Sequence, residues 1–284
     1  VIGIDSDKQG PLLTPDEQRL LDALADQAAL AIERINLSEN FDKAQRAAER
    51  DRLQAALLTS ISHDLRTPLA SILGAADGLA GLPDLSADDR KALLSTIQEE
   101  AERLNRFIAN LLDMTKLESG AVAPNMALVD LGDVVGSTLR RADKILADHR
   151  IETALAPDLP MIKLDAVLFE QVLFNLLDNA AKYAPTGTTI SLQGTCEGAT
   201  VRLQVQDEGP GIPQAELERI FDKFYRVRKA DSQRAGTGLG LAICRGFVEA
   251  MGGTIEASNR ASGHGAVFTV VLPDPNSNEP MSMP

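Results

Sequence analysis

A chain of 284 residues with 44% hydrophobic and 24% charged residues has the balance of a globular protein, long enough for two domains or for one domain plus extended helices. Its net charge of −13 and pI near 4.7 argue against general binding to nucleic acid or to an anionic lipid surface, since both need basic patches. No stretch approaches the run of about 18 consecutive apolar residues needed to span a membrane. Cys196 and Cys244 lie far apart without CxxC spacing, so neither a disulfide framework nor a zinc site is indicated and a reducing cytosol is the simplest setting. With no tryptophan and 4% aromatic residues the core is expected to be aliphatic, as suits helical bundles. The start at Val-Ile-Gly-Ile, without methionine, reads as a piece of a longer polypeptide and leaves a membrane region upstream open.

Residues 1–4 read as a strand remnant, and Thr14, Pro15, Asp16 and Glu17 match a capping box with proline at the first helical position. From Pro15 to about Leu79 there is no glycine before Gly74 and no proline before Pro68, so a long rod is expected, with a break near residues 36–40 an equal alternative. Leu58, Ile61, Leu65, Leu69, Ile72, Ala76 and Leu79 follow the alternating three and four step of a coiled-coil seam. Ile61 and Leu65 then face inward, and His63 faces out. Thr67 shares the face of His63, Asp64 sits about 100° round, and Pro68 removes a backbone hydrogen bond just beyond. A lone exposed histidine is an ordinary surface residue. Here it is also a candidate nucleophile flanked by two polar helpers.

Residues 81–86 form a turn, and Ser86 with Asp89 caps a second helix running to about Glu118. Its apolar positions, Leu94, Ile97, Ala101, Leu104, Ile108 and Leu111, again alternate by four and three. A two-helix hairpin with one apolar stripe on each helix buries little by itself, so pairing with a second copy as a four-helix bundle, a homodimer, is expected.

Beyond a linker ending near Pro124 the pattern changes. Helices are predicted over 130–148, 165–183 and 239–251, and strands over 151–155, 161–164, 189–196, 200–206, 254–258 and 266–272. The mixture suggests one two-layer α+β domain over 128–273, followed by a disordered tail at 274–284. The fold class is therefore multidomain, α and then α+β.

Four clusters in the second domain carry chemistry. In FNLLDNAAKY, Asn175 and Asn179 are one turn apart, with Lys182 and Tyr183 a turn further; two stacked amide oxygens and a lysine suit a magnesium triphosphate, and equally a solvated helix face. In DEGPGI, Asp207 follows a strand, where it can accept from an adenine amino group while Gly209 and Gly211 let a base lie against backbone; the stretch also reads as an ordinary turn ending at Ile212. In FDKFYR, Phe221 and Phe224 are spaced to anchor a segment or to fill a core. In GTGLGL, Gly236 to Leu241, glycines open a helix whose free amides can bind phosphates, with a spacing unlike dinucleotide or Walker loops. The basic stretch 227–235 between the last two reads as a flexible lid.

Each cluster is ambiguous singly, but their joint order is not. It resembles the bacterial two-component sensor histidine kinases of the HisKA type over residues 40–273, with SHDLRTPL as the H box and the four clusters as N, first glycine, F and second glycine boxes. The resemblance implies a dimeric phosphotransfer hairpin over 39–120 and a Bergerat-type ATP-binding domain over 128–273 of the kind shared with gyrase and Hsp90. It implies His63 as phosphoacceptor, Asp64 as general base and Thr67 as the residue serving dephosphorylation of a response-regulator receiver domain. It further implies ATP with Mg²⁺ as cofactor, held by Asn175 and Asn179, with Lys182 on phosphate, Tyr183 in the pocket and Asp207 reading adenine. Gly209, Gly211, Ile212, Gly236, Thr237, Gly238, Leu239 and Gly240 complete the implied nucleotide site. Where the family often has a glutamate four residues before the first asparagine, Gln171 stands here and Glu170 precedes it.

Residues 1–38 resemble the end of a GAF domain and its exit helix, and with DAVLFEQVLFNLLDNAAKYAP they are similar to the potassium-responsive sensor kinases, which implies upstream membrane helices and an inner-membrane full-length protein around a cytoplasmic fragment. The alternatives are another GAF-linked kinase, an ATPase of the gyrase or Hsp90 kind, and a scaffold without phosphohistidine.

Overall fold

The computed structural model describes residues 14–16, 19–27, 29–30, 33–34, 65–81, 85–227, 238–261 and 264–273. They fall into two compact units divided after Arg66. His63, Asp64, Gly236 and Thr237, the strand remnant at 1–4, the upstream part of the rod, most of the basic stretch before Gly236 and the tail lie outside the described residues. In the first unit the described residues between Pro15 and Arg34 are helical, starting directly after Thr14, with Leu20, Leu24 and Leu30 exposed.

The second unit opens in helix α1, which it holds over residues 67–81, with Thr67 exposed and Pro68 buried. Helix α2 (Ala87–Glu118) begins at a reciprocal cap: the Asp89 amide donates to Ser86 Oγ at 3.0 Å and Ser86 Oγ donates to Asp89 Oδ2 at 2.7 Å. The two helices meet where Gly78 faces Leu93. The hairpin leaves Leu69, Leu73, Leu94, Ile108 and Leu112 exposed, while Ala75, Phe107 and Met114 are buried. The predicted stripe on α2 is therefore covered only in part, because two helices leave much of their apolar surface without a neighbour.

The remainder is an α+β layer pair. Strand β1 (Ala127–Val129) pairs with β3 (Ile162–Leu164) as a small antiparallel ribbon. Between them come helix α3 (Leu131–Leu146) and strand β2 (Arg150–Leu155). Helix α4 (Ala166–Tyr183) follows, and then the hairpin strands β4 (Thr189–Glu197) and β5 (Thr200–Gln206). Helix α5 (Gly240–Ala250) and strands β6 (Thr254–Asn259) and β7 (Ala266–Pro273) end the domain. The main sheet has the order β2-β4-β5-β7-β6, with β2 parallel to β4 and every other pairing antiparallel. A parallel pair needs a long crossover, and β3 with α4 supplies it.

Local signals explain the boundaries. Asp130 Oδ1 caps the Gly132 amide at 2.7 Å, and Asp165 Oδ1 caps Val167 and Leu168 at 3.0 and 3.1 Å. The other oxygen of Asp165 takes the Asn125 amide at 2.8 Å, tying the linker to the start of α4. These aspartates are caps and not first helical residues, so each helix starts one residue later than its pattern suggests. Helix α4 buries Phe169, Val172, Leu173, Leu176, Leu177 and Ala180 against the sheet, where Ile190, Leu192, Val201, Leu203 and Val205 alternate inward. Each large apolar side chain so buried contributes roughly 1.5–3 kcal/mol. This packing holds the opposite, polar edge of α4 in place.

Candidate functional site

One cavity gathers the sequence clusters. Its α4 wall carries Asn175, Asp178, Asn179, Lys182 and Tyr183, three and four residues apart and so on one face. Lys182 is ion-paired to Asp178 one turn earlier. The Asn175 Nδ2 atom is buried without a hydrogen-bond partner, and Gly240 at the start of α5 lies against this amide. Gly238, Gly240 and Leu241 line the cavity, whereas Leu239 is fully buried beneath them and anchors the turn, its carbonyl accepting the Ile243 amide at 3.0 Å. The first turn of an 11-residue helix thus opens beside the asparagines, the arrangement that receives anions.

Asp207 closes the far side. It leaves β5 with its amide bonded to the Ala266 carbonyl at 3.0 Å, and its Oδ1 accepts from the amides of Gly209 at 2.7 Å and Ala266 at 3.2 Å. The residue is 4% exposed. Burial pushes its carboxyl above the ordinary value, partly offset by the Gly209 and Ala266 amides and by the Arg260 guanidinium. A Cβ at Gly209 would lie 2.8 Å from Asp207 Oδ1 and 3.1 Å from the Tyr183 carbonyl, so only glycine fits this approach of loop to helix. Asn259 on β6 accepts from the Ile212 amide and donates to its carbonyl, both at 2.7 Å, which sets Gly211 and Ile212 at the cavity wall.

The FDKFYR segment and the second glycine cluster are joined directly. Phe221 is buried edge-on to Phe268 with centroids 6.4 Å apart, and the Arg245 guanidinium stands 4.2 Å over its ring. Phe224 has φ 62°, an uncommon conformation for a bulky residue, and its amide donates to the Gly238 carbonyl at 2.9 Å. Gly238 has φ 67°, and a Cβ there would lie 2.7 Å from the Phe224 carbonyl carbon. Tyr225, Arg226 and Val227 therefore pass along the cavity.

The hairpin supplies a further wall through Asn110 of α2. Gln171 Nε2 donates to Asp113 Oδ2 at 2.6 Å, Lys223 pairs with Glu118 at 2.6 Å, and Leu117 packs on Gly246. Glu170 turns the other way and accepts from Ser137 on α3. Neither residue before the first asparagine lines the cavity; Gln171 ties α4 to the hairpin. Thr67 is also not among the lining residues.

Asn110, Asp178, Tyr225, Arg226 and Phe268 also line the cavity, beyond the residues the sequence motifs name. Asp178 lies inside the asparagine cluster, and Tyr225 and Arg226 end the aromatic one, so proximity could have flagged them. Phe268 reaches the cavity only because β7 pairs with β5, and nothing local marks Asn110. Among the described residues no group of three His, Cys, Asp or Glu side chains could hold a metal. A divalent cation here would rest on amide oxygens and on phosphate, which is the chemistry Mg²⁺ favours.

Two family models match the chain. His Kinase A (phospho-acceptor) domain covers residues 53–120, and Histidine kinase-, DNA gyrase B-, and HSP90-like ATPase covers 164–276. The chain belongs to the sensor histidine kinases. It is 42% identical over 277 residues to Sensor protein KdpD of Clostridium acetobutylicum, covering 96% of this chain and 30% of that protein's length. Acinetobacter baumannii histidine kinase AdeS is similar in structure, with a TM-score of 0.59 and 28% identity over 75% of this chain and 98% of its own. Full-length ShkA in complex with AMPPNP is similar at a TM-score of 0.57 and 29% identity, covering 76% of this chain and 45% of ShkA. The histidine-kinase ATPase model places ATP use in the domain that holds the cavity. No described helix is long and apolar enough to cross a membrane.

Proposed function

We propose that this chain transfers the γ-phosphoryl group of ATP to His63 and then to an aspartate of a response-regulator receiver domain. The observation that carries this reading is the gathering of Asn175, Asn179, Lys182, Asp207 and the start of α5 around one cavity, in a chain whose phospho-acceptor match spans His63. Asn175 and Asn179 offer the oxygens for Mg²⁺, which when bound neutralises phosphate charge. Lys182 contacts phosphate, Tyr183 lines the pocket, the first amides of α5 receive phosphate oxygens, and Asp207 accepts from the adenine amino group.

A ring nitrogen of neutral His63 attacks the γ-phosphorus in line. The N–P bond forms as the bond from phosphorus to the β,γ-bridging oxygen breaks, and ADP leaves. Asp64 orients the imidazole or takes its proton, and the neutral form is available because histidine's ordinary pKa lies near 6.5. Catalysis is then mainly positioning and charge stabilisation. Thr67 holds the water that dephosphorylates the regulator.

The exposed Leu69, Leu73, Leu94, Ile108 and Leu112 of the hairpin support a homodimer in which a second hairpin covers them. The similarity to KdpD supports a potassium or osmotic stimulus and a membrane-anchored full-length protein; potassium-pump subunits in adjacent reading frames would agree, and their absence would count against it.

Incubation with γ-labelled ATP should give an acid-labile, alkali-stable phosphoprotein, and labelling that persists in His63→Gln would overturn the kinase reading. With a phosphorylated receiver domain, Thr67→Ala should keep autophosphorylation and lose dephosphorylation; an unchanged dephosphorylation rate removes that role from Thr67.

A further inference from the structure

We infer that Asn110, on the hairpin helix α2, is a further residue of the nucleotide site and meets the phosphate end of the bound nucleotide, an inference that rests on the nucleotide reading above. Two observations converge on it. Asn110 lines the same cavity as Asn175, Asn179 and Lys182, although it comes from the phosphotransfer hairpin and not from the ATPase domain. Independently, Gln171 on α4 donates to Asp113 on α2 at 2.6 Å, so the two helices touch within a turn of the cavity residues. Asn110 lies one turn before Asp113 and Asn175 one turn after Gln171, so each is one turn from that contact, and both line the cavity.

The chemistry suits that place. A primary amide donates two hydrogen bonds and adds no charge, so it can bind a phosphate oxygen without the repulsion that a carboxylate would bring. The helix is held there by contacts outside the cavity, Leu117 on Gly246 and Glu118 with Lys223. A Cβ at Gly246 would lie 2.7 Å from Leu117 Cδ1, so the Leu117 side chain sits in the space that glycine leaves on α5. If α2 gives the site one of its ligands, nucleotide binding and hairpin docking strengthen each other by the same factor.

The test measures binding of Mg²⁺·AMPPNP and of adenosine to the full chain by calorimetry. Asn110→Ala should weaken AMPPNP roughly tenfold, as expected for losing a hydrogen bond to a charged group, and Asn110→Asp should weaken it further, with adenosine unchanged in both. In Asp113→Ala/Leu117→Glu, which loosens the hairpin without touching a cavity residue, AMPPNP should weaken similarly and Asn110→Ala should then add nothing. Equal AMPPNP affinity in wild type and both Asn110 variants, an equal loss for adenosine, or full additivity in the loosened background would overturn the inference. Wild-type protein that binds neither ligand would overturn the nucleotide reading itself, a result distinct from the others.

Discussion

Replacing Asp207 by asparagine separates what the buried carboxylate does for binding from what it costs the fold. In the folded chain burial raises its pKa above 3.8, so the native state holds the proton more readily than the unfolded state does. Stability from this group is complete below the unfolded value and is lost as pH rises through the raised folded value. At neutral pH the ionised carboxylate therefore weighs against the fold. Asparagine keeps an oxygen for the Gly209 and Ala266 amides at 2.7 and 3.2 Å and carries no charge. Asp207→Asn should thus unfold at the same or a higher temperature at pH 7, with a flatter dependence on pH above the ordinary aspartate value of about 4.

Its second polar atom, however, becomes an amide nitrogen, and under the proposed adenine-reading role that nitrogen would face the adenine amino group, donor against donor. Loss of a hydrogen bond to a charged acceptor, about 1.5–3 kcal/mol, predicts ATP affinity down by roughly 10- to 100-fold. Calorimetric titration with ATP and with a purine riboside triphosphate lacking the amino group, beside thermal melts across pH, reads both effects. Unchanged ATP affinity would refute the adenine-reading role. A lower melting temperature at pH 7 would refute the account of the buried charge.

Gly238→Ala should abolish nucleotide binding and destabilise the domain by about 1–3 kcal/mol in denaturant melts, because it combines a positive φ with a Cβ pressed against the Phe224 backbone; near-wild-type melts would mean that this junction adjusts freely. Cys244 is fully buried, donates to the Val172 carbonyl at 3.7 Å and has its thiol pushed up to about 12 by burial, while Cys196 is partly exposed. A thiol reagent at pH 8 should label Cys196 and spare Cys244 until the protein is unfolded, and mass spectrometry of the peptides checks this.

Helix α4 was legible because two local signals agree, a nearly continuous apolar run and polar residues recurring at one helical spacing, whereas the cap at Asp165 emerged only from its bonds to the Val167 and Leu168 amides. Strands β4 and β5 were legible from their alternation, but the parallel pairing of β2 with β4 was not, since it joins residues as far apart in the chain as Arg150 and Thr189. Strand β1 was not, since three residues have no period and form a strand only by pairing Ala127 with Leu164 and Val129 with Ile162. The hairpin stripe was readable as a pattern, but burial at Phe107 and Met114 depended on which neighbours the helix met.

By itself the sequence determined the order of the clusters, the types of their side chains and which of them share a turn, because helical and strand periods are properties of adjacent residues. Tertiary structure decided what adjacency cannot encode. It set Asp207 beneath the backbone of Ala266, Asn259 around Ile212, and Phe224 against Gly238. It also turned Gln171 toward Asp113 and Glu170 toward Ser137. Neighbouring side chains on a helix point about 100° apart, and only the packing of α2 and α3 around α4 settles which partner each one finds.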